Sequence, residues 1–155
     1  MLVSQRLAEL GIELPAVVPP VAAYIPAIAH GDLVYTSGQL PMIAGALPAT
    51  GKVGEGEGLV PPADAKTYAR QCALNAIAAA ADIAGSVDNL VGVVKVTGFV
   101  SSVPAFTGQP GVINGASEVL GEIFGEAGRH ARSAVGVPVL PLDSPVEVEV
   151  VFATR

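Results

Sequence analysis

The sequence predicts an α+β fold in which two helices lie on one face of a mixed sheet. Three observations carry that expectation. Segments of strand and helix character follow in the order strand, strand, helix, strand, helix, strand, strand. The last of them, Pro145 to Thr154, is almost pure alternation, with Val146, Val148, Val150 and Phe152 set against Glu147 and Glu149. The strongest helical segment, Ala63 to Ala84, carries ten alanines among its 22 residues, which allow a sheet to approach closely. With 155 residues, 51% of them hydrophobic, the chain suits one domain over residues 1–155. A domain of that size buries roughly 70% of the surface its unfolded chain exposes, so it can build a core without disulfides or a structural metal.

Taken in order, residues 4–10 carry Leu7 and Leu10 against Arg6 and Glu9 and run into Gly11, which predicts a short helix, an appendage within residues 1–15. Pro15, Pro19, Pro20 and Pro26 keep the next stretch extended or looped until about Val21, where a short edge strand is expected to begin. Leu33 to Leu40 reads as a β-branched and aromatic strand closed by Pro41. The connection from Pro41 to Pro62 is rich in Gly and Pro, with a strand expected around Lys52 and Val53. Pro62 and Asp64 suit the first turn of the long helix, Leu74, Ile77 and Ala81 mark its buried stripe, and Gly85 stops it. Asn89 to Ser102, rich in valine, is a strand, and Pro104 to Gly111 a loop. Val112, Ala116, Val119, Leu120 and Ile123 then keep helical spacing through Phe124. Gly115, Gly121 and Gly125 each cost that helix about 1 kcal/mol relative to Ala, so it needs tertiary support. Arg132 to Leu140 and Pro145 to Thr154 are the last two strands, joined by VLPLDSP.

Only 14% of the residues are charged, against about 25% in an ordinary soluble domain. Part of the surface is therefore expected to be covered in an oligomer. Leu33 to Gly51 and Val96 to Ser117 carry no charge, yet Gly, Pro, Ser, Thr or Gln interrupts both, so no transmembrane helix is expected. MLVSQRLAEL has Arg6 and Glu9 where a signal peptide needs an unbroken apolar stretch, which makes the cytoplasm the expected compartment. A net charge of −6, with three lysines, five arginines and no basic run, argues against nucleic acid as a partner. The local patch of Arg129, His130 and Arg132 suits a small anion better than a phosphate backbone.

Glu147 and Glu149 are two apart in a strand, so both leave the same face. That face is either solvated, or buried by a second subunit with its carboxylates paired to a cation or shifted toward neutrality. Arg132 shares one side of its strand with Ala134 and Gly136, which are small enough to leave room. It forms either the floor of a carboxylate-gripping pocket or an intramolecular ion pair with Glu147 or Glu149. Other motifs carry less. His30 and His130 lack metal-ligand spacing and suit turn or loop positions, and Glu55 and Glu57 would repel phosphate from the glycine run Gly54 to Gly58. Ser37 and Ser133 lack a nucleophile-elbow setting. The lone Cys72, inside the alanine-rich helix, reads as a small core hydrophobe.

Three runs, AAYIPAIAHGDLVYTSGQLP, ARQCALNAIAAAADIAG followed by VDNLVGVVKVTGFV, and ARSAVGVPVLPLDSPVEVEVVFA, resemble the RidA/YjgF family, also called the endoribonuclease L-PSP family. The likeness covers most of Val17 to Arg155; the longer Pro41 to Pro62 connection and the extra N-terminal helix look like a divergent subgroup. The resemblance implies a chorismate-mutase-like fold, a homotrimer and ligand pockets at the subunit interfaces. It implies hydrolysis of reactive enamines and imines (2-imino acids) to 2-oxo acids and ammonia, with no metal or cofactor, the alternative being a non-catalytic binder or sensor of small carboxylates. The family arginine that holds the substrate carboxylate falls on Arg132 and its glutamate on Glu147. The substrate-binding tyrosine, serine, glycine and asparagine fall on Tyr24, Ser37, Gly38 and Asn114. Ala134 stands where the deaminase branch has a cysteine, so no thiol is available there: a family contribution through the backbone carbonyl, which orients water, is one alanine can replace, whereas a role for the sulfur is lost. Glu149, a second carboxylate on the same face, is placed to raise the pKa of Glu147.

Overall fold

The structure, a computed structural model, describes residues 1–17 and 22–155. Three helices, α1 (Val3–Leu10), α2 (Pro62–Ala84) and α3 (Gln109–Phe124), accompany five strands, β1 (Ala27–His30), β2 (Leu33–Thr36), β3 (Leu90–Ser101), β4 (Ala131–Val137) and β5 (Val146–Thr154). The strands form one sheet in the order β1-β2-β5-β3-β4, antiparallel except for the β3–β4 pair. The mixed sheet with its helices on one face is the architecture the alternating segments predict.

Alternation decides which residues of each strand meet the helices. On β5, Val146, Val148, Val150 and Phe152 are all buried, while Glu147 and Glu149 leave the other face. From Lys95 to Val100 β3 matches it residue for residue, with Val100 opposite Val146, Gly98 opposite Val148 and Val96 opposite Val150, and the register shifts on either side of Val93. α2 meets this surface with alanines: Ala65, Ala69, Ala73, Ala76 and Ala80 are fully buried, beside Cys72 and Ile77. The apolar stripe is thus broader than the Leu74, Ile77 and Ala81 expected, and Ala81 sits at its margin.

Two glycines set how closely the layers pack. A Cβ on Gly98 would collide with the side chain of Ile113, so the bare strand backbone is what lets α3 settle onto β3. A Cβ on Gly115 would overlap the backbone carbonyl of Lys66, so α3 touches α2 main chain to main chain there. The tertiary support that the glycine-rich helix needs is therefore this contact itself. Gly121, in the same helix, faces open space.

Several boundaries differ from the sequence expectation. The early edge strand begins at Ala27, directly after Pro26, where a backbone donor becomes available; Val21 lies outside the described residues. α3 starts at Gln109, within the expected loop: Pro110 fits a first turn, and the Gln109 amide donates to the Phe106 carbonyl at 2.8 Å. β4 stops at Val137 because Pro138 has no N–H to continue the ladder. Val53 forms isolated bridges to Val60 and Ser102 in place of a strand. α1 ends at Gly11 in the left-handed region and is tied down by Ser4, which reaches Asp88 at 2.8 Å, and by Arg6, which donates to the Glu122 carbonyl at 2.9 Å.

Gly115→Ala should lower stability by about 1–3 kcal/mol, because overpacking against the α2 backbone outweighs the better helix propensity of alanine. Gly121→Ala should raise it by up to about 1 kcal/mol. Chemical denaturation of both variants measures the pair, and equal effects would show that the α2–α3 contact does not constrain Gly115.

Candidate functional site

Two clusters of polar side chains lie at different places on the sheet. The first belongs to β4 and α3. Arg132 pairs in parallel register with Val96, whose side chain is buried beneath the helices, so Arg132 leaves the helix-covered face of its edge strand. Its Nη1 donates to Asn114 Oδ1 at 2.7 Å and to Ser117 Oγ at 3.2 Å, partners three residues apart and therefore adjacent on α3. Both Nη1 hydrogens are thereby used. Nε–H and the two Nη2 hydrogens have no partner among the described residues, and Nε–H with the Nη2 hydrogen beside it forms the two-pronged edge that matches a carboxylate. Ala134 follows on the same side of β4, partly buried against the core.

Ser117 also meets His130, whose Nε2 lies 2.9 Å from the hydroxyl while Nδ1 lies 2.6 Å from the Gly128 carbonyl. His130 is thus a member of a side-chain network rather than a passive loop residue. Its position two before Arg132, and the Asn114 to Ser117 spacing of three on a helix, are signals that could have found the network from sequence alone.

The second cluster sits where β2 leaves β5. Tyr35 pairs with Val151, but the next bridge joins Gln39 to Val148, so β2 carries one extra residue between them. Thr36 Oγ1 takes up the Val150 N–H at 3.0 Å, a bond the ladder would otherwise have supplied. Such a bulge re-aims the chain. Here it lays Gly38 across Glu147: a Cβ on Gly38 would stand 2.6 Å from Glu147 Oε2. Ser37 donates its hydroxyl to the Ile25 carbonyl at 2.6 Å and its N–H to the Pro26 carbonyl at 2.8 Å, which ties the segment beside Tyr24 to the bulge. Tyr24 itself is 57% exposed.

Glu147 is half-buried without a cation beside it. Burial holds its carboxyl above the usual range, and the nearby charge of Glu149 pushes the same way. Cys72, fully buried in α2, has its thiol pushed well up, chiefly by burial, and behaves as a core side chain.

Arg132 and Glu147 do not meet within one chain. Glu147 pairs with Phe99 across the open face of the sheet, whereas Arg132 is on the helix-covered face, with β3 between their strands. The ion pair of Arg132 with Glu147 or Glu149 is therefore absent. The ion pairs among the described residues join Arg6 to Glu9, Lys52 to Asp143, Lys66 to Glu118 and Arg129 to Glu126. The open face around Glu147 is largely apolar, with Ile28 55%, Tyr35 42% and Val135 43% exposed.

A protein-family model described as "YjgF/chorismate mutase-like, putative endoribonuclease" matches residues 4–154. Protein TCP17 of Trypanosoma cruzi is 39% identical over 150 residues, spanning 95% of this chain and 91% of that protein. The crystal structure of Atu1372 from Agrobacterium tumefaciens, a protein of unknown function, is 40% identical and superposes with a TM-score of 0.87 over 99% of this chain and 92% of its own. E. coli TdcF with bound serine is 25% identical, with a TM-score of 0.64 over 90% of this chain and 93% of its own. Among the described residues no helix is long and apolar enough to cross a membrane.

The raised carboxyl of Glu147 has a consequence for stability. A carboxyl whose folded pKa lies above its unfolded value, ordinarily 4.5, favours folding while protonated; that contribution is full below about pH 4.5 and is lost as pH rises through the folded value. Glu147→Gln removes the loss. Urea denaturation at pH 4 and pH 7.5 should show the variant gaining on the parent as pH rises, and a gap that stays constant or narrows would contradict the assignment.

Proposed function

Since this chain belongs to the YjgF/chorismate-mutase-like family, we propose that it hydrolyses 2-imino acids to 2-oxo acids and ammonia in pockets shared between subunits of a homotrimer. The observation that carries the proposal is the Arg132 guanidinium, anchored along one edge by Asn114 and Ser117 and open along the other. An open guanidinium edge fits a carboxylate through two parallel hydrogen bonds. The serine held by TdcF is an amino acid with such a carboxylate.

The placement of the two clusters supports a shared site. A pocket that uses Arg132 and Glu147 together needs the first from one copy and the second from another, because they leave opposite faces of the sheet. Association through the open face would also cover Ile28, Tyr35 and Val135, and would offset the shortage of surface charge.

The chemistry asks little of the protein. An imine carbon is already electrophilic, so the site has to hold the carboxylate, place one water and move protons. Arg132 holds the carboxylate. Glu147 takes a proton from water as the water oxygen bonds to the imine carbon and passes it to nitrogen, giving a carbinolamine; the carbinolamine hydroxyl proton then moves through Glu147 to nitrogen as the C=O bond forms, the C–N bond breaks and ammonia leaves. A carboxyl held above the usual range is suited to both steps. The backbone carbonyl of Ala134, on an edge strand, orients the water without a thiol. Tyr24 closes the rim, and Ser37 holds the Gly38 backbone against Glu147.

Freshly generated 2-iminobutyrate tests the proposal, with 2-oxobutyrate release as the readout. Arg132→Ala and Glu147→Gln should each slow hydrolysis by at least about 100-fold. A protein that binds 2-oxobutyrate yet does not speed its release would instead be a carboxylate sensor. When the two inactive variants are co-refolded in equal amounts, roughly a quarter of the parent activity should return, the share of interfaces that pair an intact arginine with an intact glutamate. No recovery would show that the two residues do not serve one inter-subunit site. Gly38→Ala should cost activity with less than about 1 kcal/mol of stability, because the flexible end of Glu147 can swing away from the added methyl.

A further inference from the structure

Asn114 and Ser117 share the inner edge of Arg132, but among the described residues only Ser117 is itself held by a further side chain, and with a neutral imidazole the acceptor at the far end sets the direction of each bond in that chain. The Gly128 carbonyl can only accept, so His130 Nδ1, 2.6 Å away, carries the proton. In the neutral ring Nε2 is then bare and accepts the Ser117 hydroxyl at 2.9 Å. With its own proton spent, Ser117 Oγ has only lone pairs left to offer, and it accepts from Arg132 Nη1 at 3.2 Å. Asn114 Oδ1 takes the other Nη1 hydrogen at 2.7 Å.

We infer that Ser117 and His130 are positioning residues for Arg132, forming a relay from the Gly128 carbonyl through imidazole and hydroxyl that fixes which edge of the guanidinium faces a ligand. Arginine has many rotamers, and on an edge strand little else confines it; the relay removes that freedom before a ligand arrives. Both residues are half-buried and both come from elements other than the interior of β4: Ser117 from α3, and His130 from the turn after Gly128. What the open edge grips rests on the function proposed above, whereas the relay is a property of the folded chain.

The test uses full-length protein labelled with ¹⁵N-arginine, in which the Arg132 signal is assigned by its loss in Arg132→Lys. Rotation about the guanidinium C–N bonds should be slow in the parent and about tenfold faster or more in Ser117→Ala and His130→Ala. Ser117→Thr and His130→Gln, which keep a hydroxyl and an acceptor, should restore it to within about twofold. Ser117→Val, read against Ser117→Thr, carries the same comparison should an alanine variant fail to fold. Titration with 2-oxobutyrate should weaken about tenfold in each alanine variant and no further in the double variant, because both act through one chain of bonds. Unchanged rotation in folded Ser117→Ala and His130→Ala overturns the relay. If rotation responds as expected while the parent fails to bind 2-oxobutyrate, the relay stands and the carboxylate-binding role of Arg132 falls.

Discussion

The whole arrangement depends on the two-residue period of a β-strand. On β5 it sends a row of valines and Phe152 beneath the helices and a pair of glutamates to the opposite face. Because β3 and β4 follow in register, the same period sends Arg132 toward α3 and away from the glutamates. The two charges that the chemistry would join are therefore separated within the chain by the same geometry that buries its core. Under the function proposed above a second copy would reunite them, and the apolar residues left on the open face would be covered by it.

Close packing makes the polar positions possible. The alanine surface of α2, Gly98 beneath Ile113 and Gly115 against Lys66 bring helices and sheet together without large side chains between them. That proximity brings Asn114 and Ser117 within hydrogen-bond reach of a β4 arginine. At the other cluster, an extra residue in β2 and the missing Cβ of Gly38 let the strand pass over a carboxylate. In both places small residues let elements come close enough to reach a charged side chain.

The charges are few, and most of the ion pairs among the described residues are exposed and contribute little. Arg132 and Glu147 differ from them in being partly buried without a carboxylate or a cation at hand. Desolvated groups left without a counter-charge cost stability, and such cost is commonly retained where binding or proton transfer needs it.

Much of this was legible in the residues. The order of the elements, the face that β5 buries, the start and stop of α2 and the mixed sheet all follow from periodicity and from Pro62 and Gly85, because those signals are local. The shared face of Glu147 and Glu149 was equally plain. Whether Arg132 would pair with them was not, since strand spacing says which side a residue takes on its own strand and nothing about how two strands line up across a third. The parallel register of β3 and β4, the bulge at Ser37 and Gly38, and the bond from His130 through Ser117 each join residues from separate elements. Only the packed chain could decide them, because a hydrogen bond depends on tenths of an ångström that long-range packing sets and local propensity does not.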